Sequence, residues 1–138
     1  MTPPALADAA RALVAHETGD AASSADVAAG AARACQKLHH HLARVVGELG
    51  MRALFARSLV LASRTYAWLP VPAGAWVEAP WNDLTAQFEA QRSEVAIMAT
   101  VLVIDTLVGL VARFIGDGLT LRLLGEVWPA LPRAKETT

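Results

Sequence analysis

The chain has one cysteine in 138 residues, Cys35, and that scarcity excludes an intramolecular disulfide. A lone thiol suits a reducing compartment, and "MTPPALADAARAL" lacks the basic and apolar regions of a secretory signal, so a cytoplasmic location is expected. Aromatic residues make up only 6%, and they do not interleave with the arginines as a nucleic-acid surface requires. Nucleic acid is therefore a disfavoured partner. Charged residues are also few, at 18%. No segment alternates with period two, no CxxC or HExxH motif occurs, and no internal repeat is evident in the residues themselves. Strands and closed metal sites are thereby disfavoured.

Apolar residues are plentiful instead, at 54%, with a mean hydropathy of +0.36. Alanine is the commonest of them and favours helix. A chain of this length forms one domain able to bury a core without metal or disulfide help. The apolar excess means that a partner subunit or lipid helps to cover the core, or that alanine inflates the hydropathy. The charges are unevenly placed. Residues 31–68 carry six basic residues against Glu48 alone, whereas residues 69–126 carry Arg92, Arg113 and Arg122 against seven acids. The simplest expectation is that the two halves attract each other.

Helical periodicity runs through the chain. A first helix fits residues 1–19, capped by Thr2 and ended by Gly19, and the small polar "DAASSAD" after it suggests loose attachment. Ser23 or Ser24 then starts a longer helix to Gly47–Gly50. Ala31, Cys35, Leu38, Leu42, Val45 and Leu49 form its seam. The period continues from Met51 to Trp68 and stops at Pro70. A further helix, capped by Asn82 or Asp83, can be followed to Gly116, and "LTLRLLGEVWP" supplies a short last one. The expectation is an all-α bundle of about five helices over residues 24–128, with 129–138 a disordered tail.

The stretch "VAIMATVLVIDTLVGLVARFIG", residues 95–116, is apolar on every side apart from Asp105. It is nearly long enough to span a hydrocarbon core of about 30 Å. A central aspartate, however, costs about 2.5–3.5 kcal/mol on insertion. The other helices also have apolar stripes in need of a surface, so this segment is read as the centre of the bundle, with a membrane span as the alternative. A buried Asp105 would call for a cation, and Arg57 and Arg64 are the candidates.

Four further features could carry chemistry. In "CQKLHHHLARVV", successive residues differ by about 100° on a helix, so His39, His40 and His41 cannot clamp one ion together. Cys35 and His39, four apart, are weak metal candidates, so no cofactor is expected. Lys37 with Arg44, and Arg57 with Arg64, share helix faces and could hold phosphate, but the acids near Asp83 offer them an internal destination. In "WLPVPAGAWVEAPW" the indoles of Trp68, Trp76 and Trp81 either cap one end of the bundle or form a docking patch, and Trp128 is a fourth candidate contact. No nucleophile, base and oxyanion arrangement can be assembled, so an enzyme has the least support.

The segments "CQKLHHHLARVVGELGMRALFARSLVLAS" and "FIGDGLTLRLLGEVWP" resemble parts of small, uncharacterised all-α bacterial proteins across residues 34–129. The resemblance implies a bacterial helical domain and transfers no functional residue. The expected function is a non-enzymatic protein-interaction or regulatory module, acting as a homodimer. A membrane-embedded subunit and a small-ligand or metal sensor are the alternatives.

Overall fold

The computed structural model describes residues 3–19, 23–71, 81–129 and 131, and these fold as a bundle of six helices with no strand. In chain order they are α1 (Pro4–Thr18), α2 (Ser24–Val46), α3 (Glu48–Ala62), α4 (Trp81–Glu89), α5 (Ser93–Ile115) and α6 (Asp117–Val127). The all-α expectation holds, with six helices where periodicity suggested about five. The long helix expected after Asn82 is divided: the chain turns at Ala90–Arg92, so α4 packs on α2 while α5 runs through the core. An unbroken helix could not reach both partners.

Local chemistry explains most of the boundaries. Pro4 occupies the first turn of α1, where its missing N–H costs nothing; Pro3, rather than Thr2, holds the N-cap position. Ser23 caps α2, its hydroxyl accepting from the Asp26 N–H at 3.1 Å. Gly47 ends α2 and begins α3 with φ +96° and ψ 151°, a region that is essentially closed to any other residue. Two expected seam residues lie beside this corner. Leu49, beyond the break at Gly47, loses the seam's phase, and both it and Val45, in the last turn of α2, are exposed.

The seam and central stripe otherwise face inward. Ala31, Cys35, Leu38 and Leu42 from α2, and Val103, Ile104, Leu107 and Val108 from α5, are 0–1% exposed. α5 touches all five other helices, as expected of a central element, but so does α2. The core is built on two crossing hubs. Nor is α1 loosely attached: Leu6, Ala9, Ala10, Leu13 and Val14 are fully buried against α2, α5 and α6. The proposed disordered tail lies, apart from Pro129 and Leu131, outside the described residues.

The two hubs also reveal a repeat that the residues alone conceal. α2 and α5 are both 23 residues long and begin with serine. Each ends in a glycine of nearly identical conformation, Gly116 having φ 90° and ψ 156°. Each glycine donates its N–H to an alanine carbonyl four residues back, Ala43 or Ala112, at 2.8 Å. Glu48 and Asp117 then open the next helices. At an offset of 69 residues the buried positions coincide: Ala34 with Val103, Cys35 with Ile104, Leu42 with Val111, Phe55 with Leu124, Leu59 with Trp128. Packing follows the same exchange, α2 on α4 and α5 on α1, α3 on α5 and α6 on α2. Burial is preserved where identity is not, because a core position specifies an apolar side chain and tolerates changes of size that its neighbours can absorb.

Candidate functional site

The middle of α2 presents polar side chains toward two neighbouring surfaces. Arg33, Lys37 and His41 are four apart and therefore share one flank. Arg33 and Lys37 reach Glu17 on α1, and the His41 ring lies 2.9 Å from Glu126 on α6. Gly30 makes this approach possible. A Cβ there would stand 2.5 Å from the Glu17 carbonyl oxygen, so α1 can end directly over α2 only because the side chain is absent.

Glu17 is the most enclosed charge on this flank, its side chain 4% exposed. Lys37 Nζ donates to Oε2 at 2.6 Å, Trp128 Nε1 donates to the same oxygen at 2.9 Å, and Arg33 Nε donates to Oε1 at 3.1 Å. Arg33 Nη2 also donates to the Glu17 backbone carbonyl at 3.0 Å. Burial pushes the Glu17 pKa up, but the hydrogen bonds from Lys37, Trp128 and Arg33 outweigh it and hold the carboxyl below its ordinary value. One carboxylate thus fastens α1, α2 and the end of α6.

The second surface of α2 forms an open cleft with the start of α3 and the start of α4. It encloses about 480 Å³ and is lined by Gln36, Lys37, His39, His40, Glu48 and Trp81. His39 is nearly buried, and its Nε2 lies 3.1 Å from Glu48 Oε2. Arg52, one turn along α3, donates its Nε to the same oxygen at 3.0 Å. The His39 hydrogen bond, followed by that of Arg52, lowers the Glu48 pKa. Trp81 stands edge-to-face with Phe55 at 5.3 Å and with His39 at 5.6 Å between ring centroids, so its indole plane is fixed from two sides.

The sequence candidates separate clearly against this geometry. Trp81 lines the cleft. Trp68 is half-buried between Tyr66 and Phe88, at 6.0 and 5.9 Å. Trp128, considered as a docking residue, is buried and donates inside the fold to Glu17. Trp76 lies outside the described residues. Arg57 and Arg64 are exposed, which corrects their assignment to a buried pair, and Asp105 is half-buried with its Oδ1 enclosed. Cys35 is fully buried and its thiol is pushed up to about 12 by desolvation, which disfavours a nucleophilic thiolate. Among the described residues no three His, Cys, Asp or Glu side chains are grouped to hold a metal.

The expected attraction between the basic and acidic halves is realised only in part. His41–Glu126 links them, while Arg33 and Lys37 turn to Glu17 outside both. Glu17 and Glu48 were not among the sequence candidates, yet each left a signal. A carboxylate in the last turn of α1 opposes the helix dipole and so needs a cationic partner, and Glu48 precedes Arg52 by the four residues that favour pairing. No family model, curated protein or solved structure matches this chain.

Proposed function

We propose that this protein is a non-enzymatic helical interaction module that acts as a homodimer through the outer face of α5. One observation carries the reading. An apolar stretch of α5 has a mean hydropathy of 2.4, yet only 50% of it is buried within the bundle. Met98 is 59% exposed, and Val101, Leu102 and Gly109 are partly exposed on the same side. Covering such a strip gains about 25 cal/mol per Å² of apolar surface, and a second copy of the same strip is the simplest self-complementary cover.

The same observation favours a second reading, a membrane-attached subunit, because α5 is long and apolar enough to cross a bilayer. Half of the apolar stretch of α5 is already committed to the bundle core, and hydrocarbon would penalise Asp105 near its middle, so self-association is placed first. Light scattering on a size-exclusion column without detergent separates them. The expected mass is twice the 14.6 kDa of the chain, falling to one chain in Met98→Glu and Leu102→Glu. A wild-type monomer removes the homodimer. Protein that stays in solution only with detergent replaces it with the membrane reading.

A further inference from the structure

The outward face of α3 is separate from the α5 strip and carries charge that the fold leaves unspent. α3 packs on α2 and α5, and Met51, Phe55 and Leu59 are fully buried. At about 100° per residue, Leu54, Arg57 and Leu61 lie on the other side of the helix, and Arg64, just past its end, continues the same line.

Of the six basic residues in 31–68, Arg33 and Lys37 are taken by Glu17, and Arg52 by Glu48. Arg57 and Arg64 belong to the remainder. Both are exposed, and neither forms an ion pair among the described residues. The single carboxylate of α3, Glu48, precedes Arg57 by two and a half turns and so lies on the opposite side, where His39 and Arg52 hold it. The outward face is therefore purely cationic, which calls for an anionic partner.

The side chains between and beside the arginines identify the kind of anion. Leu49, at the start of α3 and toward one edge of this face, is 74% exposed, and Leu54, Val60 and Leu61 are half-buried. They are aliphatic, with no aromatic ring to stack on a base and no amide to read one. A bilayer interface takes up such groups at its acyl boundary while guanidinium heads stay level with the phosphates. A convex helix face also needs no matching pocket when the surface that covers it is deformable. We propose that the outward face of α3 rests on an anionic lipid surface, with Arg57 and Arg64 at the headgroups and Leu49 and Leu61 at the apolar boundary.

The test floats the full chain with vesicles of phosphatidylcholine alone, or of phosphatidylcholine and phosphatidylglycerol in equal parts. Binding to the anionic vesicles should be at least tenfold stronger at about 0.1 M salt and should be lost at about 0.5 M. Each arginine near such a surface contributes about 1 kcal/mol, so Arg57→Gln and Arg64→Gln should each weaken binding about fivefold. Leu49→Ser should weaken it about threefold, whereas Arg122→Gln, which removes the same charge from an exposed position on α6, should leave it unchanged. Thermal melts establish that each variant is folded, and the comparison of vesicles on the unaltered protein depends on no variant. Absence of binding to the anionic vesicles overturns the proposal, as does an equal loss from Arg122→Gln and Arg57→Gln. Salt-resistant binding to both kinds of vesicle overturns it in favour of α5 as the membrane element. Displacement by duplex RNA together with full binding by Leu49→Ser overturns it in favour of nucleic acid.

Discussion

Glu17 shows how one carboxylate can organise a helix bundle. It accepts from Lys37, Arg33 and Trp128, side chains of α2 and of the residue that ends α6. Removing its charge leaves those donors unmatched, so Glu17→Gln should lower unfolding stability by about 1.5–3 kcal/mol, measured by urea titration. The pH dependence follows from the direction of its shift. Because the folded pKa is depressed, the unfolded chain takes up the proton first. The contribution is therefore present above the unfolded value and is lost as pH falls through the folded one. Melting temperature should fall on acidification below about pH 4.5, the ordinary carboxyl range, and Glu17→Gln should flatten that limb. The buried hydroxyls need no such network. Ser58, Thr100 and Thr120 each donate to a carbonyl of their own helix region, at 2.7–2.8 Å.

Glycine plays two different roles among the helices. At Gly47 and Gly116 the requirement is conformational, since a Cβ would meet nothing within 4 Å but the positive φ excludes it. Alanine at either corner should cost about 1–3 kcal/mol through backbone strain. At Gly30 the backbone is ordinary helix, where alanine usually gains about 1 kcal/mol. Here the Glu17 carbonyl occupies the space, so Gly30→Ala should instead destabilise, by about 1–3 kcal/mol, as α1 is forced away. The decisive comparison is with Gly118→Ala on α6, which has open space and no positive φ and should be neutral or stabilising. Chemical denaturation of the four variants distinguishes strain, steric conflict and propensity. Gly30→Ala matching Gly118→Ala would mean that α1 yields without cost.

At the scale of the molecule, the repeated helix–glycine–helix unit explains why there are two hubs. Each half supplies one long helix to the centre, and each uses its shorter helices to cover the hub of the other. Most of the core is therefore shared between the halves, which predicts one cooperative unfolding transition rather than two. Coincident urea curves from tryptophan fluorescence and circular dichroism would fit this; separated midpoints would show that the halves fold independently. The halves are not equivalent in composition. Alanines dominate the buried positions of α2, and valines, isoleucine and leucine those of α5, so only α5 combines length with enough hydropathy to leave an apolar outer strip. That asymmetry makes the mass measurement the first experiment on the proposed dimer, with Met98→Glu its most direct variant.

Periodicity and terminators were enough to establish an all-α chain, the seam from Ala31 to Leu42, the apolar character of α5 and the start of α2 at the Ser23–Ser24 pair. These follow from interactions within a few residues, which any linear reading can detect. The turn at Ala90–Arg92 could not be read this way, because the residues there carry no strong breaker and the helix divides only to let α4 reach α2. Nor could the burial of Trp128, the exposure of Arg57 and Arg64, or the convergence of Glu48, His39 and Trp81. Each depends on which helices become neighbours. Glu17 and Trp128 are 111 positions apart in sequence, and only the folded chain brings them to 2.9 Å. Local sequence determines which segments coil, and which face of each is apolar. Pairing of polar groups across the bundle is decided by the packing of all six helices at once.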